Sequence, residues 1–308
     1  MVYEKVGTEQ IVLLIIGMVI FIVAPIIMAI VWKVKKKEPF TTILIGAATF
    51  FVFVMIEKPI QNVLLFPTAM GLPEHSVSRF INAAPILLSF LAGLFPGLFE
   101  ETGRFVAYKT LLKNRKNRET SISHGIGHGG FEVIFILGAT FLNYIIYAVM
   151  INSGTFGTVV DTVAKQGMKE QVDQINDIAS MLAGFSVNDL ALNIFERIVA
   201  VLFHIGGSIL VFYACKDRKK IWLYPLAILL HTLMDGALAL SMFKVITLSN
   251  WQLEMIFAIF SLLVFFGAYF MLYRKDTDTR ESMLAVKEAE NTGDNMLEAK
   301  EDVNAKEA

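Results

Sequence analysis

Phe99-Glu100-Glu101-Thr102-Gly103-Arg104 sits inside an apolar run from Phe80 to Leu112. The run has the length and composition of a membrane helix, and two adjacent carboxylates and an arginine interrupt it. A charged side chain at the centre of a bilayer costs roughly 2.5–3.5 kcal/mol on insertion scales, so such residues face a protein interior and mark function. The reading of this stretch fixes the rest: a bundle of membrane helices arranged around buried ionisable groups.

The 308 residues are 55% hydrophobic, with 25 phenylalanines. Mean hydropathy is +0.59. Soluble domains run near 45–50% apolar, and apolar stretches of about 20 residues indicate membrane spans. The expected fold class is all-α, a polytopic bundle of about seven transmembrane helices. The expected spans are Ile11–Trp32, Phe40–Ile56, Phe80–Leu112, Ser121–Ile151, Leu190–Cys215, Ile221–Phe243 and Trp251–Tyr273. Pro25 is expected to kink the first span. A polar stretch with Pro59, Pro67, Gly71 and Pro73 reads as a loop or re-entrant segment, and Pro96-Gly97 as a break just before the glutamates. The first apolar segment is longer than the core of a cleavable signal and no small-residue cleavage site follows it, so it reads as a membrane helix.

The region Asn152–Asn188 reads as a soluble connection, with an amphipathic helix over about Val159–Leu182 lying on the membrane surface. Residues 1–273 form the bundle, with the site helices within 80–243. Residues 274–308 are charged, poor in aromatics, and expected to be a disordered cytoplasmic tail. Basic clusters close the first, third and fifth spans, at Lys33–Lys37, Lys113–Arg118 and Lys216–Lys220. The distribution of Lys and Arg among the short loops therefore places the N-terminus outside and the C-terminus inside. The lone cysteine, Cys215, excludes an intramolecular disulfide.

Four spans carry ionisable groups at a similar depth. Counted from the basic ends, Glu100, Glu101, Arg104, His128, Glu132, His204, His231 and Asp235 fall roughly 10–22 Å down at 1.5 Å per residue. Glu100/Arg104, His128/Glu132 and His231/Asp235 are each four residues apart, so each pair shares a helix face. The Glu100/Arg104 pair is expected to keep one carboxylate ionised. Glu132 and the Glu196-Arg197 pair read equally as support or as function. His124, near the interface, and His75, in the outer loop, read as surface residues.

Such a set can activate water. One glutamate serves as general base, and like charges close together leave a second group protonated and able to donate. Histidines on neighbouring helices would stabilise the oxyanion. No cofactor is required, although His and carboxylate ligands could instead hold zinc. There is no His-Glu-x-x-His motif, so a zincin-like site is not expected. Three functions are consistent with these residues: an intramembrane peptidase, a zinc-dependent membrane hydrolase of lipid amides, and a proton-coupled transporter. The absence of an internal repeat counts against the last.

The order Glu100-Glu101-x-x-Arg104, Gly127-His128-Gly129-Gly130-x-Glu132, Phe203-His204 and His231-x-x-x-Asp235 resembles the YhfC family of bacterial membrane peptidases. That family is similar to glutamic-type intramembrane proteases, which include the CPBP proteins and the CAAX prenyl protease Rce. The resemblance covers roughly Phe80 to Phe243. It implies a glutamate and a histidine activating water, with His231 and its partner Asp235 at the oxyanion. His128 and His204 both compete for the place of the water-activating histidine, and Asp235 stands where the wider group often has Asn. It further implies a multi-pass protein of the bacterial plasma membrane. Its partners would be the lipid bilayer and a membrane-embedded or membrane-associated peptide, with no nucleic acid.

Overall fold

The computed structural model describes residues 3–165 and 169–284. Its elements are helical throughout. Among the described residues, seven helices are long and apolar enough to cross a membrane. The first two are α1 (Thr8–Lys36) and α2 (Phe40–Leu65). A short α3 (Ser76–Asn82) precedes the third, α4 (Pro85–Lys109). The fourth is compound: α5 (Glu119–Glu132) passes through a π-helical segment, Val133–Gly138, into α6 (Ala139–Ser153). After α7 (Phe156–Lys165) and α8 (Lys169–Ala183) come the last three, α9 (Val187–Lys216), α10 (Leu223–Met242) and α11 (Asn250–Ala268). A second π-helical turn, Tyr269–Tyr273, ends the seventh span.

Helix α9 is the central post. Its membrane window is 78% buried, against 44% or less for each of the others. Helices α4, α5, α10, α11 and α1 contact it, and α2 closes the far side against α4 and α5. Close approach is built from glycine. A Cβ on Gly127 would lie 1.9 Å from the Ile43 carbonyl oxygen, and one on Gly97 would lie 2.9 Å from that of Ile228. These positions bring α5 against α2 and α4 against α10, the two tightest pairings in the bundle.

Several expectations are corrected. The second span continues through Pro59 to Leu65, while Pro67, Gly71 and Pro73 lie in the expected loop, which carries one 3-10 turn. The third span breaks at Pro85, where proline fits the first helical turn, and not at Pro96-Gly97. A helical proline withholds the N–H that the carbonyl four residues earlier needs. Here that carbonyl, on Ala92, accepts instead from Gln61 Nε2 of α2 at 3.0 Å. A neighbouring helix thus repairs the defect, and α4 runs on.

The expected amphipathic helix is two helices, α7 and α8, with residues 166–168 outside the described set. Their apolar faces do not lie on a membrane surface alone. Phe156, Val160, Ala179 and Leu182 join a core with Leu14, Phe141 and Leu190 from α1, α6 and α9.

The first residues beyond the last span are docked. Asp276 accepts from Tyr213 Oη at 2.7 Å and pairs with Lys216 at 2.5 Å. Arg118 donates its backbone N–H to Asp278 O at 2.8 Å and its guanidinium to Asp276 O at 2.9 Å. Glu119 accepts the Arg280 backbone N–H at 2.9 Å. Residues 285–308, the remainder of the expected tail, lie outside the described residues.

Candidate functional site

Helix periodicity carries each ionisable group to the bundle interior, and packing decides its partner. On α4, Glu100 and Glu101 are adjacent and therefore point about 100° apart. Glu100 turns toward α5, where His128 Nε2 lies 2.9 Å from its Oε2. Glu101 turns toward α9 and α10. It takes a charge-assisted bond from Arg104 and lies 2.8 Å from His231 Nδ1. The expected Glu100–Arg104 pair does not form. Arg104 serves Glu101 because Glu100 is rotated away toward His128.

The other residues extend the network. Arg104 Nη2 lies 2.7 Å from His204 Nδ1 on α9. Guanidinium only donates, so Nδ1 of His204 is the acceptor and its Nε2–H faces Glu132, with which it pairs. Arg197 holds Glu132 at 3.2 Å and also pairs with Glu196. His231 Nε2 lies 3.5 Å from Asp235 and 4.0 Å from Glu100. All eight residues singled out in the sequence thus come together, from α4, α5, α9 and α10. Glu101, Arg104 and His128 have no exposure at all, and Asp235 is the most open member, with 35% of its side chain exposed. A cavity of about 70 Å³ between α9, α10 and α11 reaches the cluster, lined by Glu132, Arg197, His204, His231 and Asp235 among others.

Among the buried groups that were not anticipated, two lie on helices of the site's walls. His124 is wholly buried, one turn before His128 on the same face of α5, and not a surface residue. The four-residue spacing is the signal that could have found it. Glu57, on α2, is also fully buried, with the half-exposed Lys58 at 3.3 Å. It fell just beyond the expected end of its span. His75 is a helix cap, its Nδ1 accepting from Ser78 N at 3.1 Å.

Glu100, His128 and His204 each offer one ligand atom, all within 4.8 Å of one another. Two imidazoles and a carboxylate are a common donor set for catalytic zinc, with a position left open. The surroundings suit that use. His128 has a second ring nitrogen with no hydrogen-bond partner among the described residues. His204 has a carboxylate on Nε2, as metal-bound histidines usually do, so its Nδ1 would be the ligand and would exchange the Arg104 guanidinium for the metal. The residues present fit a divalent metal.

Comparison with known proteins agrees with the geometry. A family model described as the YhfC intramembrane metalloprotease matches residues 11–258. The chain belongs to that family. It is 31% identical over 234 residues to the uncharacterized membrane protein YhfC of Bacillus subtilis (strain 168), across 75% of this chain and 84% of that protein. No solved structure matches. The description corrects the sequence reading on one point: it is of a metalloprotease, where a glutamic-type, CPBP-like enzyme was the leading expectation and zinc only a possibility.

Proposed function

We propose that this protein hydrolyses peptide bonds inside the membrane with a metal, zinc by its donor set, held by Glu100, His128 and His204. The observation that carries the reading is the convergence of these three ligand groups in a buried, helix-walled site. Bound there, the metal would supply a Lewis acid and an activated water.

The remaining residues have separable tasks. Arg104 neutralises Glu101, and the pair braces α4 against α9 and α10. Glu101 receives the Nδ1–H of His231, which fixes the tautomer and leaves Nε2 facing the cavity. His231 is then the group that takes and returns a proton at Nε2, with Asp235 beside it as the orienting acid. Glu132, held by Arg197, orients His204. The cavity between α9, α10 and α11, with room for about two waters as it stands, marks the side from which a peptide would enter once these helices part. With the basic loops on the cytoplasmic side, cleavage falls near the middle of a bacterial plasma membrane. The natural substrates are membrane-embedded or membrane-associated peptides.

The test is elemental analysis of detergent-purified protein beside Glu100→Gln and His128→Ala, paired with cleavage of a membrane-peptide library in proteoliposomes. Equimolar zinc and cleavage in the wild type, both lost in the variants of unchanged fold, is the expected result. Cleavage that survives full removal of the metal would overturn it and restore the glutamate-only mechanism.

A further inference from the structure

A hydrolase buried among helices needs a supply of water, and the structure shows polar groups leading away from the site that the reaction itself does not use. On α5, Ser121, His124, His128 and Glu132 are spaced three, four and four residues apart and form one stripe. His124 has no exposure. Its Nδ1 lies 3.2 Å from Ser208 Oγ on α9, and its Nε2 has no partner among the described residues. Its ring centroid lies 4.8 Å from that of Tyr108 on α4 and 6.2 Å from that of His128.

Three more buried polar atoms close to these rings lack partners: His128 Nδ1, Glu101 Oε2 and Arg104 Nε. Interiors rarely tolerate such atoms, and where a site is polar and roomy enough, ordered water meets them. Gly207 lets α9 come close to these groups: a Cβ there would sit 3.3 Å from Glu101 Oε1 and 3.6 Å from Arg104, so a larger residue would crowd them. Toward the basic end, Tyr108 Oη donates to Ser121 O at 3.4 Å. Beneath Tyr108 lies a cavity of about 10 Å³, lined by Leu112, Arg115, Lys116, Phe212 and Lys216, the lower limit of the space one water needs.

We propose that a file of water runs from the basic end of the bundle along the α4–α5–α9 interface to His128 and Glu100, with His124 and Ser208 as the side chains that hold it. Water and peptide then approach from different sides: water along the α5 stripe, peptide through the cavity between α9, α10 and α11. His124 is a positioning residue and touches no substrate. The role of the water rests on the hydrolase reading; the existence of the file does not.

The test is thiol accessibility to silver ion, small enough for a single-file path. In a Cys215→Ser background, Ser208→Cys is compared with Ile209→Cys, whose native side chain is buried in an apolar cluster. Inverted and right-side-out vesicles are exposed to silver, and the thiols left free are counted with a maleimide after denaturation. Silver added on the face bearing the basic loops is expected to protect Ser208→Cys and not Ile209→Cys. Adding His124→Leu, or His124→Met should the first not fold, removes that protection, and His124→Gln retains it. Equal protection of the two cysteines, or protection of Ser208→Cys from the opposite face alone, overturns the file.

Kinetics provide the second readout. His124→Leu lowers kcat with KM unchanged, and His124→Gln recovers it. Wild-type protein that shows the silver pattern but cleaves no peptide would refute the peptidase reading and leave the water file standing.

Discussion

Two ionic clusters in this molecule behave as opposites. At the basic end, Asp276 is met by Lys216 and Tyr213, and backbone groups of the Asp276–Arg280 segment bond to Arg118 and Glu119. In the interior, Glu100, Glu101, Glu132 and Asp235 crowd against two arginines and three histidines, and several buried atoms remain unmet. The first cluster ties a strand of chain to the bundle beside water. The second holds an excess of acceptors and imidazole nitrogens where each costs the fold something, an arrangement that serves chemistry better than stability.

The largest effect to expect from this contrast is on activity. Glu100→Gln should lower peptide hydrolysis by on the order of 10²–10⁴-fold, as removal of a group at the reacting centre does. Thermal unfolding in detergent should show the protein still folded. The matching change at the edge, Asp276→Asn, should leave hydrolysis essentially unchanged, because its partners Lys216 and Tyr213 lie at the basic end, away from the reacting groups.

Next comes stability. Arg104→Leu leaves Glu101 buried without its counter-charge and should cost about 3–5 kcal/mol, whereas replacing both with leucine should recover most of that while remaining inactive. A double variant as unstable as the single one would show that the pair does more than neutralise itself. Gly127→Ala drives a methyl group into the Ile43 carbonyl and should cost about 1–3 kcal/mol, read from the same unfolding curves.

The smallest effect is the acid response of the tail. Burial opposes ionisation of Asp276, but hydrogen bonds from Lys216 and Tyr213 outweigh it and hold its carboxyl below the usual range. A folded-state pKa that is lowered stabilises the docked form above the ordinary carboxylate pKa and loses that contribution as pH falls through the lowered value. Proteolysis within residues 274–284 should therefore quicken only at pH below the ordinary aspartate range, and Asp276→Asn should quicken it at neutral pH. Unchanged cleavage in that variant would show that the backbone bonds to Arg118 and Glu119 suffice.

Much of this was legible in the chain. Seven apolar spans follow from composition, because lipid leaves helices as the way to satisfy each backbone group. The eight site residues were legible because ionisable groups in such spans are rare and these fall at one depth. What was misread failed for identifiable reasons. Pro96 looked like a break, but whether proline ends a helix depends on a donor from elsewhere, here Gln61. His124 looked superficial because depth was counted from the helix end, while the cover over that end comes from α2 and α9. The segment after Tyr273 looked loose because its charges have partners only on other elements.

The sequence by itself determined the all-helical class, the number of spans, and which residue types lie at mid-depth, since these depend on local hydrophobicity and the rise of a helix. Only the tertiary structure decided partnership. That Glu100 joins His128 while Glu101 joins Arg104 and His231, and that Glu100, His128 and His204 converge as a ligand set, depends on how α4, α5, α9 and α10 are rotated about their axes. Those rotations are set by glycine contacts and side-chain packing between helices far apart in the chain, which no window of sequence contains.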